Sequence, residues 1–116
     1  MYLAETPAGA LLEACVHTSA NDVPPNYVLL RVTAGDEVSL EELDVNVLPA
    51  GWLQSTDVTQ EIGSAWLRSG RTALLRVPSA LVPATFNVVL NPLHVDATRL
   101  RIESAIQYPF DSRLKR

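Results

Sequence analysis

The sequence predicts an α+β protein with a mostly antiparallel sheet and two or three helices. Helical signals dominate its first 70 residues, whereas Val- and Leu-rich segments typical of strands dominate the remainder. Turns that contain proline or asparagine, at 78–83 and 91–96, separate those segments. A length of 116 residues suits one hydrophobic core, so we expect a single domain over 1–116.

The first helix is expected to begin just after Thr6. Threonine is a favourable N-cap, and Pro7 at the first helical position loses no hydrogen bond. Apolar residues then recur at the spacing of one helix face, which predicts a buried stripe of Ala8, Leu11, Leu12, Cys15 and Val16. Cys15 is therefore expected to pack in the core rather than act as a nucleophile.

Two further helices are predicted from their end signals. Ser39 followed by Glu42 is the capping-box pattern of a short helix through Leu43. Asp57 is the expected N-cap of a longer helix, which Gly70 ends. Three or four strands complete the fold, and the segments with strand composition are Tyr27–Thr33, Thr72–Val77, Phe86–Leu90 and Arg99–Ser104.

Composition excludes several classes of protein. The formal net charge of −4 argues against a nucleic-acid-binding surface. No apolar run approaches the roughly 20 residues that span a bilayer, and the N-terminus lacks the pattern of a secretion signal. A single cysteine agrees with a reducing compartment, so we expect a cytoplasmic protein. Two distant histidines and five glycines predict neither a metal site nor a phosphate-binding loop.

Glu13 is the strongest candidate for a functional residue. It interrupts an otherwise apolar helix, and His17 lies one turn further along. One interpretation is an exposed glutamate paired with His17. The other is a carboxylate in a cleft, where it would stabilise an oxocarbenium-like centre of the kind formed when a glycosidic bond breaks.

Three other polar residues allow both a structural and a functional interpretation. Ser79 follows Pro78 at the end of a strand, where it suits a turn but also a ligand contact. Asn91 ends the next strand and could cap a turn or bind a ligand amide. Tyr2 could stack on a nicotinamide or adenine ring, or belong to the core.

An ordered set of short segments over nearly the whole chain resembles the RES domain family. In the first half it comprises Tyr2-Leu3-Ala4-Glu5-Thr6-Pro7, Ala10-Leu11-Leu12-Glu13, His17, the strand from Tyr27 to Val32 and the turn from Leu48 to Trp52. In the second half it comprises Ile62-Gly63, Trp66-Leu67, the segment from Leu74 to Ala80, Asn87, Asn91-Pro92, His94 and the segment from Phe110 to Leu114.

The resemblance implies a fold related to the ADP-ribosyltransferase toxins and NAD as the substrate, without a metal. It implies that Glu13 and Ser79 are the catalytic pair, with Tyr2 and Asn91 as contacts for NAD. It further implies a toxin that degrades NAD by hydrolysis or phosphorolysis and is blocked by an Xre-type antitoxin. The arginine of the family precedes its tyrosine segment, so the resemblance implies an N-terminally shortened member. The alternative is a catalytically inactive remnant that only binds protein.

Overall fold

The fold is α+β, as the sequence predicts. A computed structural model describes residues 1–115. Its strands are β1 (Tyr2–Ala4), β2 (Asn26–Thr33), β3 (Leu40–Glu42), β4 (Leu74–Pro78), β5 (Phe86–Leu90) and β6 (Arg101–Pro109), and its α-helices are α1 (Pro7–Val16) and α2 (Thr56–Ser69). Neither of these helices is long and apolar enough to cross a membrane.

The strands form two separate sheets. One sheet has four strands in the order β1-β5-β4-β3, and the other is a two-stranded ribbon of β2 and β6. Within residues 1–115, the β1–β5, β4–β5 and β2–β6 pairs are antiparallel and only β3–β4 is parallel. The ribbon has a bulge between Arg31 and Val32, and its apolar Val28, Leu30 and Ile102 side chains are more than half exposed. The predicted mostly antiparallel sheet is therefore confirmed.

The predicted start of the first helix is confirmed, but its buried stripe is only partly correct. The Gly9 backbone N–H donates to the Thr6 hydroxyl at 3.0 Å, so Thr6 is the N-cap and Pro7 the first helical residue. Cys15 is buried and Leu11 half-buried, as expected for packing residues. The remaining members of the stripe, Ala8, Leu12 and Val16, are exposed. Ala8 and Leu12 are exposed because they line a cleft beside the helix.

The predicted short helix from Ser39 through Leu43 is wrong, because this segment forms β3. Its pairing with β4 aligns Leu40 with Leu74, and the Ser39 hydroxyl accepts a hydrogen bond from the Ala73 backbone N–H at 2.9 Å. These tertiary contacts occupy the serine that would have capped a helix. The sheet pairings therefore override the local capping signal.

Other boundaries also differ from the predictions. Helix α2 begins at Thr56 with Ser55 as its N-cap, so Asp57 lies inside the first turn. There its negative charge interacts favourably with the positive end of the helix dipole. Its end at Gly70 is confirmed, since this glycine has a left-handed φ of 63°. The last strand begins at Arg101 rather than Arg99, after a short 3₁₀ helix over Val95–Arg99. Residues 1–115 contain six strands rather than the predicted three or four, because the short strands β1 and β3, of three residues each, were not predicted.

The centre of the larger sheet carries the core. Val38, Ala73, Leu74 and Leu90 form one buried cluster, so β4 and β5 are covered where they pair. Trp66 of α2 is 3% exposed, and its indole N–H donates to the Thr72 hydroxyl at 2.9 Å. This contact ties α2 to the start of β4. The sheet therefore gives rigid support to the residues at both ends of β5.

Asp96 anchors β3 and gives the fold a dependence on pH. The Ser39 backbone N–H donates to its carboxylate at 3.0 Å. The pKa of Asp96 is lowered below its ordinary value of 3.8 by this bond, by a second bond from the Ser39 hydroxyl and by the positive charge of Arg99, which lies 3.3 Å away. A group whose pKa is lower in the folded state stabilises the fold above its unfolded pKa and loses that effect as the pH falls.

We expect Asp96→Asn to remove part of the sensitivity of the fold to acid. Urea midpoints of the original protein and the variant should be measured at pH 7 and pH 3. The original protein should lose more stability between these values than the variant, because its Asp96 takes up a proton as the pH falls, whereas asparagine does not. Equal losses would contradict the proposed anchoring role of the carboxylate.

Candidate active site

Three polar side chains from different elements meet beside α1. Glu13 lies on α1, Asn87 on β5, and Ser79 directly follows β4. The helix lies close to the edge strand β1 where it crosses the sheet, since a Cβ added to Gly9 would lie 3.5 Å from the Cβ of Ala4. Ala4 pairs with Asn87, so their side chains share the face of the sheet on which α1 lies. This crossing brings the carboxylate to the polar groups of β5 and β4.

One oxygen of Glu13 holds both neighbours. Its Oε1 accepts from the Ser79 hydroxyl at 3.3 Å and from the Asn87 side-chain amide at 3.0 Å. Ser79 and Asn87 are 4% and 6% exposed, so both donors are fixed in the interior. The other oxygen, Oε2, lies 4.0 Å from Nε2 of the exposed His17. The carboxylate is thus anchored on one side and open on the other.

Both interpretations of Glu13 and of Ser79 describe part of what the structure shows. Glu13 is near His17 on the helix and also faces a cleft. Ser79 is a turn residue, because its Oγ accepts from the backbone N–H groups of Leu81 and Val82 at 3.2 and 3.3 Å. The same hydroxyl donates to Glu13. The turn therefore fixes the position of the hydroxyl that contacts the carboxylate.

The cleft beside Glu13 is small and largely apolar. It has a volume of about 200 Å³ and lies between α1 and the segment that joins β4 to β5. Its apolar walls include Ala8, Leu12 and Val82, and its polar groups include Glu13, Ser79 and Asn87. An anchored carboxylate between apolar walls acts in a lower dielectric than water, where its attraction for positive charge is stronger.

Tyr2 and Asn91 do not join this cluster. Tyr2 lies on the edge strand β1, pairs with Val89 and is 71% exposed. Asn91 follows β5 at the end opposite to Asn87, and its buried side-chain oxygen accepts from the Leu93 backbone N–H at 3.1 Å. Neither residue lines the cleft that contains Glu13. Their roles as contacts for NAD stay predictions.

Asn87 was not predicted as a site residue, although one feature of its strand indicated it. Asn87 is the polar residue within the otherwise apolar strand Phe86–Leu90. Asparagine is disfavoured in strands, so its presence in a buried one indicates a specific hydrogen-bond partner. That partner is Glu13.

Comparisons with known proteins identify the family of this chain. A sequence model described as the RES domain matches residues 1–111. The "Prs ADP-ribosylating toxin" of a Sphingobium species is 37% identical over 120 residues, which cover 100% of this chain and 74% of that protein. The "Toxin Res" of Pseudomonas putida is 37% identical over 98% of this chain and 78% of its own length, and that of Photorhabdus laumondii is 34% identical over 98% and 74%. The chain therefore belongs to the RES domain family.

Proposed function

We propose that this protein is the toxin of a bacterial toxin–antitoxin pair and that it degrades NAD by cleaving its nicotinamide–ribose bond. The observation that carries the proposal is the Glu13 carboxylate, which Ser79 and Asn87 anchor at 3.3 and 3.0 Å beside a cleft. The names of the relatives support a toxic activity, since two are called "Toxin Res". The third, an "ADP-ribosylating toxin", also supports transfer of ADP-ribose.

The anchored carboxylate suits the charge that develops in this reaction. As the bond between ribose C1′ and the ring nitrogen breaks, its electron pair neutralises the pyridinium and positive charge grows on the ribose. A fixed negative charge beside that carbon lowers the barrier, as carboxylates do in glycosidases. The open Oε2 of Glu13 is the oxygen available for this role or for orienting the acceptor. Water, phosphate or a protein side chain could then receive the ADP-ribose.

The partner proposed for this toxin is an Xre-type antitoxin that covers the cleft. The proposed compartment is the cytoplasm, which holds the NAD pool that such a toxin would deplete. Covering the mouth of the cleft between α1 and Val82 would keep NAD from Glu13 without any change in the fold. An antitoxin that acts in this way should compete with NAD for the toxin.

The test is release of nicotinamide from NAD by the purified full chain, with and without inorganic phosphate. The proposal expects turnover under at least one condition, and the second product identifies the acceptor as water or phosphate. A parallel reaction with labelled NAD and a bacterial lysate reports transfer of ADP-ribose to protein. A folded chain that releases no nicotinamide in any of these reactions would overturn the proposal.

We expect Ser79→Ala to reduce turnover by about ten- to a hundredfold and to destabilise the fold by about 1–3 kcal/mol. The substitution removes the hydroxyl donor to Glu13 and the acceptor for Leu81 and Val82. Ser79→Thr is the matched control, because it keeps the hydroxyl. Turnover by the alanine variant equal to that of the original protein would show that Ser79 serves the turn alone.

A further inference from the structure

Arg76 of β4 joins side chains from the other three strands of the larger sheet. Its Nη2 lies 3.2 Å from Oε1 of Glu5, which directly follows β1, and its Nη1 lies 3.5 Å from Oε1 of Glu42 in β3. Between these two carboxylates, the guanidinium carbon is 3.7 Å from the centre of the Phe86 ring at the start of β5. One guanidinium therefore ties together the same end of all four strands.

Glu5 continues the pairing of β1 with β5 one step beyond the end of β1. Its backbone N–H donates to the Phe86 carbonyl at 3.3 Å, and its Oε2 accepts from the Phe86 backbone N–H at 3.0 Å. The other carboxylate oxygen, Oε1, is the one that pairs with Arg76. Holding a glutamate side chain in one conformation costs entropy, and a charge-assisted hydrogen bond offsets that cost. Arg76 thus helps Glu5 to hold the first residue of β5.

This group of side chains lies directly behind the candidate active site. In the sheet register, Arg76 and Phe86 lie on one face and Asn87 lies on the other. Asn87 is the residue after Phe86, and its side-chain amide donates to Glu13 at 3.0 Å. Arg76 does not line the cleft, whereas Glu5 and Phe86 do. A shift of the backbone at Phe86 would therefore move the amide that anchors the carboxylate.

We propose that Arg76 is a positioning residue for the active site, which acts through Glu5 and Phe86 to hold the Asn87 amide against Glu13. This inference rests on the proposed function, since it concerns the same carboxylate. The side chains of Arg76 and Glu5 are 30% and 41% exposed, and ion pairs so accessible to water contribute little to folding. A small displacement of a catalytic group, in contrast, has a large effect on rate.

The first test is Arg76→Met, because methionine can cover the Phe86 ring but cannot pair with Glu5. We expect kcat for NAD to fall about tenfold and KM to stay within about twofold, since Arg76 does not touch the cleft. Arg76→Lys keeps the charge and should restore kcat to within about threefold of the original protein. Arg71→Met is the matched control, because it removes another pair to β3, with Glu41 at 3.1 Å, and it should keep kcat within about twofold. A kcat of Arg76→Met equal to that of the control would overturn the inference.

A double-mutant cycle tests whether Arg76 acts through Asn87. In a protein that already carries Asn87→Ala, Arg76→Met should lower kcat by less than about twofold, because the amide that it positions is gone. Equal losses in the presence and absence of the Asn87 amide would mean that Arg76 acts by another route, and would overturn the inference.

A measurement that needs no turnover separates this inference from the proposed function. The side-chain amide resonances of Asn87 can be identified in a nitrogen–proton NMR spectrum by their absence from Asn87→Ala. They should move in Arg76→Met and stay in place in Arg71→Met, because they depend on the hydrogen bond to Glu13. Unmoved resonances in Arg76→Met, in a protein that cleaves NAD, would overturn the inference and leave the proposed function standing. Moved resonances in a protein that releases no nicotinamide would overturn the proposed function alone.

Discussion

Glu13→Gln is expected to lower the turnover of NAD about a thousandfold, equivalent to about 4 kcal/mol of transition-state stabilisation. Glutamine has the same shape as glutamate and keeps one oxygen that can accept from Ser79 and Asn87. It lacks the negative charge that opposes the growing positive charge on ribose. The loss should therefore appear chiefly in kcat, because the positive charge on the ribose exists only in the transition state.

The matched control for this variant is Glu61→Gln, which makes the same chemical change on the exposed surface of α2. Glu61 is 73% exposed and pairs with Arg68 at 3.3 Å. It is not one of the residues that line the cleft. Its variant should keep turnover within about twofold, since exposed ion pairs contribute little. Thermal unfolding should be the same for both variants and the original protein. Turnover by Glu13→Gln close to that of the control would exclude Glu13 as the group that stabilises the transition state.

The parts of the fold that could be predicted were those whose signals are local. Thr6 with Pro7 marked the start of α1, and Gly70 marked the end of α2 because few other residues adopt its left-handed conformation. The strand Phe86–Leu90 was predicted with its correct bounds, since turn residues flank an apolar run on both sides.

The parts that could not be predicted depend on contacts between distant residues. Ser39 has the sequence pattern of a helix cap, yet its bonds to Ala73 and Asp96 place it at the start of a strand. The stripe on α1 has the spacing of a buried face, but part of it lines a cleft that forms only when the 79–86 segment folds against the helix. Spacing reports which residues share a face, not what covers that face.

The candidate site shows the same division. Glu13 and Ser79 were predicted from the sequence, and the structure brings them within 3.3 Å although 66 positions separate them. The side-chain contact between Asn87 and Glu13 needed the structure, because it depends on where α1 crosses the sheet. The site is therefore a product of the register between β1 and β5, which aligns Ala4 with Asn87 beneath the helix.

Asn87→Asp is the second change with a large expected effect. It keeps the shape of the side chain but replaces the donor 3.0 Å from Glu13 Oε1 with a second carboxylate. Two carboxylates at this distance share a proton, because ionising both places like charges together in a largely buried position. We expect turnover at pH 7 to fall about a hundredfold, since the pair no longer presents a fixed, oriented negative charge.

The same substitution should make stability depend on pH in a defined direction. A carboxyl pair that holds its proton more tightly in the folded than in the unfolded state stabilises the fold at low pH and loses this effect as the pH rises. Asn87→Asp should therefore be close to Asn87→Ala in stability near pH 4 and fall below it by about 2–3 kcal/mol above pH 7. Urea unfolding of both variants across this range measures the difference. A constant difference at every pH would mean that residue 87 does not contact Glu13 in solution. The proposed chemistry would then lack the hydrogen bond with which Asn87 anchors the carboxylate.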